Sequence, residues 1–472
     1  MNVFQKLTYK YRKLFVLLLS PVLYSFTIPI LATEHVVKNG ELIQDVIRKA
    51  VAGDVIKVMP GTYKETIYID KENITLSGVI VKGERPLLDG ENTRNDGILA
   101  AGHGVIIENF HIKHYKANGI MTQGANNFII RNNIIVGTSV YGIFPQFGKN
   151  GLVSHNILSK VEDAAIYVGM CDNVDVVYNE TFDSVMGIET ENSHNILIEG
   201  NYMHDNAVGF VASLVPGLPI KTAKNTLVRN NFIVNNNIDN FAPPGAIAAG
   251  LPSGVGAFIF AADEARFEGN IIRNNVSAGI VFADHASFSA SAPPDPAMDP
   301  RPDKGQVLKN VFVDNGTAPK DDIAALLEAA VIKRGPDVLS TGKGRKNCVQ
   351  NRDSIIEAGT ERWSECGAGI STADITSFQL DEPVKSAALT LEQKGRITYL
   401  SVCTGCHTYA TRIVGPPIVV LQAKYADKPE ALAGYIKNPV KNWPGYPEMP
   451  PQNYLPDDVL LETAKYVLQL KP

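Results

Sequence analysis

The chain has 472 residues, of which 45% are hydrophobic and 20% are charged, and this composition excludes general disorder. The length predicts two domains, or one large repeat with an added module. The formal net charge of -5 becomes -9 without residues 1 to 32, which hold four basic and no acidic residues, so no nucleic acid partner is expected.

Residues 1 to 32 are predicted to be a signal peptide. A basic front precedes an apolar run from Leu14 to Leu31, and Ala32 is a small residue suited to cleavage. A retained membrane anchor is the alternative, because the run approaches the length of a bilayer span, although Pro21 and Ser25 interrupt it. We therefore expect a periplasmic or otherwise exported protein, held at a membrane only if this segment is retained.

The segment that follows predicts a short helix and then strands. Glu41 to Val51 is amphipathic, with Leu42, Val46, Ile47 and Ala50 on its apolar side, and strands are expected at Val55 to Val58 and Thr66 to Ile69. Because the end of a repeat must be closed, this helix is expected to cap an apolar core.

The chain then repeats itself every 22 to 24 residues. One marker is an Asn near a large apolar residue, and the other is a Gly or Ala before Ile or Phe. The first recurs at Asn109, Asn133, Asn156, Asn179 and Asn201, and the second at Gly119, Gly142, Ala165, Gly187 and Gly209. Each unit has short runs of Ile, Val and Phe and no helical stretch, which predicts a right-handed parallel β-helix over residues 33 to 317.

The Asn marker continues at Asn231, Asn270 and Asn310, with intervals of 30, 39 and 40 residues. Insertions at Leu214 to Lys224, Asp239 to Gly256 and His285 to Lys304 account for the longer intervals. Such loops on a rigid scaffold are common places for function.

Two rows of side chains are candidate sites on the β-helix. The residues after the second marker are expected to point into the core: Ile120, Ile143, Ile166, Ile188 and Phe210. Strand alternation then predicts an outward row that could hold sugar rings, or that another part of the chain covers: Met121, Phe144, Tyr167, Glu189 and Val211. A polar row before the second marker offers acid, base and cation for uronate chemistry, although turns collect polar residues in any case: His114, Lys116, Glu162, Asp163, Asp183, His204 and Asp205. A metal site around His204 has no supporting ligand spacing.

The repeat resembles the β-helix family that includes pectate lyases, alginate lyases, mannuronan C5-epimerases and the periplasmic accessory protein of nitrous oxide reductase. Tyr141 to Gln146 is similar to an epimerase stretch, Tyr-Gly-Phe-Asp-Pro-His. Phe144 stands where the epimerases have Asp, and Gln146 where they have His. The resemblance implies polysaccharide lyase or C5-epimerase activity, and these two departures argue against epimerase chemistry here.

Residues 318 to 385 are predicted to be a connector. Asp321 to Arg334 has a helical pattern that could cover the far end of the β-helix, and Cys348 and Cys366 close a short loop that can form a disulfide in an oxidising compartment. Cys171 is then unpaired and is expected to be a small buried residue.

Cys403-Thr404-Gly405-Cys406-His407 is a c-type haem attachment motif. Two cysteines at this spacing can form thioethers to one haem, and the next histidine can bind the iron. A redox cysteine pair and a zinc site are the alternatives. Zinc would need further ligands, and these are the only Cys and His residues after Cys366.

Residues 386 to 472 resemble class I cytochromes c. Thr390 to Gln393 forms a capping box, Gly395 and Tyr399 precede Cys403 at four-residue steps, and Tyr466 lies in a helix from about Pro456 to Leu470. The resemblance implies that Gly395 lets this last helix cross closely and that Tyr466 packs at the crossing. The resemblance implies one heme c, covalent through Cys403 and Cys406, and these further roles: His407 as one iron ligand, Pro416 orienting it through its carbonyl, Met449 as the other ligand, and Trp443 beside a propionate.

The sequence thus predicts a mainly β protein, a right-handed parallel β-helix with a C-terminal all-α class I cytochrome c domain. We expect it to transfer electrons to or from a redox protein partner, with the β-helix binding that partner or a surface polysaccharide. The alternative is a uronate lyase or C5-epimerase with an appended cytochrome c.

Overall fold

The computed structural model describes residues 32–216, 218–287, 295–404, 407–410, 415–440, 446 and 449–471. The predicted signal peptide up to residue 31 lies outside the described residues. Contacts group the described residues from Thr33 onward into one compact unit. No helix in the described ranges combines the length and the apolar character needed to cross a membrane.

The described chain is mainly β, and its named strands all pair in parallel within three sheets. Sheet A contains β1 (Glu34–Val37), β2 (Val55–Val58), β5 (Thr75–Gly78), β8 (Ile106–Glu108), β11 (Ile129–Arg131), β14 (Lys149–Ser154), β17 (Asp172–Val177), β20 (His194–Glu199), β23 (Lys224–Arg229), β26 (Arg266–Glu268), β29 (Gln306–Leu308), β32 (Cys348–Val349) and β34 (Ser364–Glu365). Sheet B contains β3 (Thr62–Tyr63), β6 (Leu87–Asp89), β9 (His111–Lys113), β12 (Ile134–Val136), β15 (Ile157–Ser159), β18 (Glu180–Phe182), β21 (Tyr202–His204), β24 (Phe232–Val234), β27 (Ile271–Arg273) and β30 (Val311–Val313). Sheet C contains β4 (Ile67–Ile69), β7 (Ile98–Ala100), β10 (Asn118–Gln123), β13 (Tyr141–Gln146), β16 (Ala164–Gly169), β19 (Met186–Glu191), β22 (Val208–Ser213), β25 (Val255–Phe260), β28 (Ala278–Ala283), β31 (Val338–Ser340) and β33 (Glu357–Gly359).

Successive strands enter the sheets in turn, so the chain winds through stacked coils as a parallel β-helix must. Parallel strands need such crossovers and cannot be joined by tight hairpins. The predicted parallel β-helix is therefore confirmed, while its right-handed turn remains a prediction.

The interior of the coils is an apolar column. Neighbouring coils place five side chains in register, and all of them are fully buried: Ile120, Ile143, Ile166, Ile188 and Phe210. They belong to one interior cluster that runs from Val37 to Trp363. The inward row was therefore predicted correctly, because aliphatic residues on successive coils stack on one another and remove apolar surface from water.

The recurring asparagines form a buried ladder. The Oδ1 atom of each member accepts a hydrogen bond of 2.8–3.0 Å from the backbone N–H of the member in the preceding coil, through Asn133, Asn156, Asn179, Asn201, Asn231, Asn270 and Asn310. Asn109 carries the sequence marker but is not a member of this ladder. The first backbone N–H bonded to the ladder is that of Phe110, 3.0 Å from Oδ1 of Asn133.

A helix covers the first coil, as predicted. α1 (Ile43–Lys49) buries Ile43 and Ile47 in the interior cluster. Its buried side differs from the predicted one, because Leu42 is 54% exposed and Gln44 is buried. Gln44 is accommodated there because its amide bonds both backbone groups of Tyr68, at 2.7 and 3.2 Å.

The β-helix continues beyond residue 317, into the segment predicted as a connector, since β31 to β34 extend sheets A and C. The disulfide between Cys348 and Cys366 is confirmed, and Cys171 is a buried free cysteine as expected. α2 (Asp321–Ala329) ends before the predicted Arg334, and it does not close the end of the interior core. Ile323 and Leu327 instead join a second cluster, outside the coils, which we call the outer cluster.

Residues 371–386, which we call the strap, run back along sheet A. Strap backbone groups bond polar side chains of successive coils: Thr372 N to Glu268 at 2.6 Å, Phe378 N to Asp175 at 3.0 Å, and Val384 N to Asn127 at 2.8 Å. The strap thereby returns the chain from the coil of β26 to the coil of β11.

The C-terminal helices follow the strap and pack on the outer face of sheet C. They are α3 (Leu391–Thr398), a π-helical turn (Tyr399–Cys403), α4 (Ile418–Lys424), α5 (Pro429–Lys437) and α6 (Asp457–Gln469). Their apolar residues share the outer cluster with Tyr68, Leu99 and Met121, and Lys394 of α3 lies 2.7 Å from Asp70.

The outward row is therefore covered, which was one of the two expectations for it. All of its members are at most 8% exposed, so it is not an open sugar-binding surface: Met121, Phe144, Tyr167, Glu189 and Val211.

Candidate functional site

The C-terminal site begins at a capped helix. Oγ1 of Thr390 accepts from the backbone N–H of Gln393 at 3.2 Å, and Oε1 of Gln393 accepts from the backbone N–H of Thr390 at 2.8 Å. This capping box was predicted, and it fixes where α3 starts because it satisfies two N–H groups that the helix leaves unpaired.

α3 crosses α6 closely at Gly395. A Cβ atom at this position would lie 2.6 Å from the backbone carbonyl carbon of Glu462, so a side chain there would push the two helices apart. One turn later the rings of Tyr399 and Tyr466 are in contact, with centroids 5.3 Å apart. Both contacts were expected from the sequence, and they hold the start of the Cys403 motif against the last helix.

The motif itself follows the π-helical turn. Cys403 is buried, and the backbone N–H of His407 donates to its carbonyl at 2.9 Å. Gly405 and Cys406 lie outside the described residues, as does Trp443.

Pro416 orients the imidazole of His407. Nδ1 of His407 lies 2.7 Å from the carbonyl oxygen of Pro416, an acceptor, so the proton is on Nδ1 and the lone pair of Nε2 is available to a metal. Burial lowers the pKa of His407, and the bond to Pro416 partly opposes this, so the ring is neutral at pH 7. This is the contact that the Gly-Pro resemblance implied.

Gly415 leaves space for that imidazole. A Cβ atom here would lie 2.3 Å from Cε1 of His407. Met449, the predicted second ligand, is half-buried and packs against the outer cluster. These side chains fit a haem: His407 is a neutral imidazole with a free Nε2, and the outer cluster contains both the thioether of Met449 and the buried Cys403.

On the β-helix the predicted polar row does not form one site. Asp163 precedes β16 of sheet C, whereas His204 lies in β21 of sheet B and Asp183 directly follows β18 of that sheet. Glu162 and Asp205 are half-buried residues of the turns between the two sheets. These residues have similar positions in the sequence repeat, but in the structure they lie on two different faces of the β-helix, sheet B and sheet C.

One group lies on sheet C. The hydroxyl of Tyr167 donates to Glu191, Ser213 Oγ lies 3.2 Å from Glu189, and the ring of Tyr141 stacks on Tyr167 at 4.4 Å. Burial, and then the charge of Glu191, raises the pKa of Asp163 to about 7, and burial raises that of Glu191 to about 7. The same causes raise the pKa of Glu189 well above its ordinary value.

The second group lies on sheet B. Nδ1 of His204 is 2.7 Å from Asp205 and Nε2 is 3.1 Å from Glu180, while the ring stacks on Tyr202 at 3.9 Å. With both ring nitrogens facing carboxylates, this histidine has no nitrogen left for a metal. Over the described ranges, no set of three or more His, Cys, Asp or Glu side chains is arranged to hold a metal ion.

Glu180 and Glu191 were missed as site residues. Each is separated by 24 residues from its partner, His204 and Tyr167 respectively, and this spacing falls within the repeat period. The period could therefore have identified both pairs.

Two comparisons match parts of the chain. The family described as "Periplasmic copper-binding protein (NosD)" matches residues 48–244. The chain is also 39% identical over 72 residues to cytochrome c-552 of Nitrosomonas europaea, and the match covers 15% of this chain and 70% of that protein.

Solved β-helix enzymes are similar in fold at low identity. The A-module of mannuronan C-5 epimerase AlgE4 of Azotobacter vinelandii is 12% identical, with a TM-score of 0.45, 65% of this chain and 82% of that chain covered. The family 28 exopolygalacturonase of Yersinia enterocolitica is 14% identical, with a TM-score of 0.47, 71% of this chain and 78% of that chain covered. At these values the likeness carries no inference about activity.

Proposed function

Because the chain belongs to the cytochrome c-552 family over the matched segment, we propose that it is an exported electron carrier with one covalently bound haem c. The observation that carries the proposal is the 2.7 Å contact between Nδ1 of His407 and the carbonyl of Pro416. That contact presents Nε2 to an iron, and it strengthens the histidine as a ligand.

Cys403 and Cys406 would hold the haem through thioethers, His407 and Met449 would bind its iron, and Trp443 would bond a propionate. A haem with His and Met ligands supplies a saturated iron that exchanges single electrons. Pro416 fixes the imidazole, and Gly415 leaves room for it. The side chains around His407 would therefore move little when the charge of the haem changes. The apolar outer cluster excludes water from the same region.

We propose that the β-helix binds a redox partner or a surface polysaccharide through sheet B. Its outer face exposes a row in register, with Tyr202 at 41%, Phe232 at 49% and Val311 at 52%. A groove of about 760 Å³ runs beside this row and includes Asn235 and Arg273. A contiguous row of exposed apolar side chains beside a groove is a candidate binding surface. The match to a family described as periplasmic supports export.

Expression in a bacterium that attaches haem c tests the haem proposal. We expect the denatured chain to keep one haem by mass and by its reduced absorption spectrum. Met449→Ala should remove the weak iron–sulfur band at the red end of the spectrum and lower the reduction potential, because a thioether favours the reduced iron. Met298→Ala, at a buried methionine of the β-helix, is the matched control and should change neither. A chain without covalent haem refutes the proposal, and an unchanged Met449→Ala spectrum means that another group is the ligand.

The alternative function is a uronate lyase or C5-epimerase at Asp163. The charge that acts on Asp163 is that of Glu191, a second carboxylate, and above about pH 7, where both are ionised, they would repel an anionic uronate. Incubation with a panel of uronate polymers, followed by absorbance of unsaturated products and by C5 stereochemistry, distinguishes the two functions. Turnover that is lost in Asp163→Asn would favour the alternative.

A further inference from the structure

A group of three buried polar side chains, which we call the pocket, lies between the β-helix and the C-terminal helices. It contains Asp96, which precedes β7, Asn118 at the start of β10, and Tyr454, which precedes α6. Their exposed fractions are 5%, 7% and 9% respectively. Three polar side chains are therefore enclosed where apolar packing would be expected.

The pocket is incompletely hydrogen-bonded. Nδ2 of Asn118 donates to Oδ1 of Asp96 at 2.7 Å. In the described part of the chain, Oδ1 of Asn118 and the hydroxyl of Tyr454 have no hydrogen-bond partner. The carboxylate of Asp96 receives only neutral donors, the side chain and the backbone N–H of Asn118, which compensate incompletely for the loss of water, so its charge is costly.

The pocket adjoins the haem motif. Tyr454 lies five residues after Met449, and Tyr454, Cys403 and Met449 belong to the same outer cluster. The charge of Asp96 adds to the burial that raises the pKa of Tyr454, so Asp96 lies near this cluster, in a region from which water is excluded. Charges interact over longer distances there than at the surface.

We propose that Asp96, a residue of the β-helix, takes up a proton when the haem takes up an electron. This inference rests on the proposed function. Reduction removes one positive charge from the haem, which makes a neighbouring negative charge less favourable. The electron comes from the donor protein or from a redox mediator in a titration, and the proton comes from solvent and binds a carboxylate oxygen of Asp96.

The surroundings of Asp96 support titration near neutral pH. Burial raises the pKa of Asp96 to about 6, and the hydrogen bond from Asn118 opposes that rise. The other ionisable groups that face the pocket are tyrosines, Tyr68, Tyr115 and Tyr454, all of which stay neutral at this pH. Further out lie the Asp70–Lys394 ion pair and Asp458.

A potentiometric titration of the full-length holoprotein at several pH values between about 5 and 8 tests this inference. We expect the midpoint potential to fall as pH rises through the titration of Asp96. Asp96→Asn should abolish that dependence and hold the potential near its acid-side value. Asp175→Asn is the matched control, because Asp175 is also a 5% exposed carboxylate of the β-helix but bonds the strap, and it should keep the wild-type slope.

Asn118→Ala is a second variant in case Asp96→Asn does not fold. It removes the side-chain donor that favours the carboxylate and keeps the backbone donor, so the pH-dependent region of the potential should move to higher pH. Any one of three results overturns the inference and leaves the electron-carrier proposal intact. The potential of the parent does not depend on pH, or Asp96→Asn keeps the parent's dependence of potential on pH, or Asn118→Ala does not shift the pH range over which the potential changes. A chain without covalent haem overturns both.

Discussion

Replacing Asn156 by alanine tests whether the asparagine ladder holds neighbouring coils together. Oδ1 of Asn156 accepts from the backbone N–H of Asn133 at 3.0 Å and from its Nδ2 at 3.1 Å. Nδ2 of Asn156 donates to the carbonyl of Ile130 at 3.0 Å and to Oδ1 of Asn179 at 3.0 Å. Asn156 is fully buried, so water cannot replace these bonds in the folded protein.

The cost follows from the groups left unpaired. The buried N–H of Asn133 loses its acceptor, which costs about 1–3 kcal/mol, and each further lost hydrogen bond costs about 1 kcal/mol. Asn133 retains one side-chain bond, 3.2 Å from Nδ2 to the carbonyl of Ile107, which limits the total. We therefore expect the free energy of unfolding to fall by about 3–5 kcal/mol.

Urea denaturation followed by circular dichroism measures this loss. Hydrogen exchange should also show the peptide containing Asn133 exchanging about a hundredfold faster, as a local loss near 3 kcal/mol requires. Asn95→Ala is the control, at a half-buried asparagine outside the ladder, and it should cost less than about 1 kcal/mol. Equal unfolding midpoints for the two variants would refute the view that the ladder joins the coils.

Three further predictions follow from the packing and the charges. Gly395→Leu should destabilise the C-terminal helices by more than about 2 kcal/mol, because the new side chain meets the backbone of α6. Gly434→Ala, in open space in α5, is the control and should be neutral or stabilising by up to about 1 kcal/mol. Thermal unfolding distinguishes the two variants. The pKa of Glu191 is raised from 4.5 to about 7, so the stability that its protonated form contributes is complete below about pH 4.5 and is lost as pH rises through 7. At about pH 8, Glu191→Gln should therefore have a free energy of unfolding higher than that of the parent by up to about 2 kcal/mol, after allowance for the partial exposure of the side chain. Urea denaturation measures this gain, which should be absent at about pH 4.5. Removing the disulfide with Cys348→Ser should lower the free energy of unfolding by about 3 kcal/mol, as expected for a loop closed over 18 residues. A reductant should lower the free energy of unfolding of the parent by the same amount, measured by urea denaturation. An unchanged urea midpoint would contradict this prediction.

Much of the C-terminal site could be predicted from the sequence because its parts are close in the chain. The capping box spans four residues, and His407 and Pro416 are nine residues apart. Such contacts depend on local backbone geometry, so a spacing is enough to predict them. Which residues of the β-helix this site contacts, including Asp70 and Asp96, depends on the path of the strap, and no short spacing contains that information.

The repeat period by itself determined the parallel coils, the inward column and the existence of the asparagine row, because a coil of constant length places equivalent residues one above another. The tertiary structure decided what covers each outer face. Tyr167 and Glu189 are buried although their strands alternate as if they faced solvent, because sheet C carries a second apolar layer. Strand alternation fixes the direction of a side chain from its own backbone, whereas its burial depends on which distant segments join the outer cluster above it, and the local sequence does not contain that information.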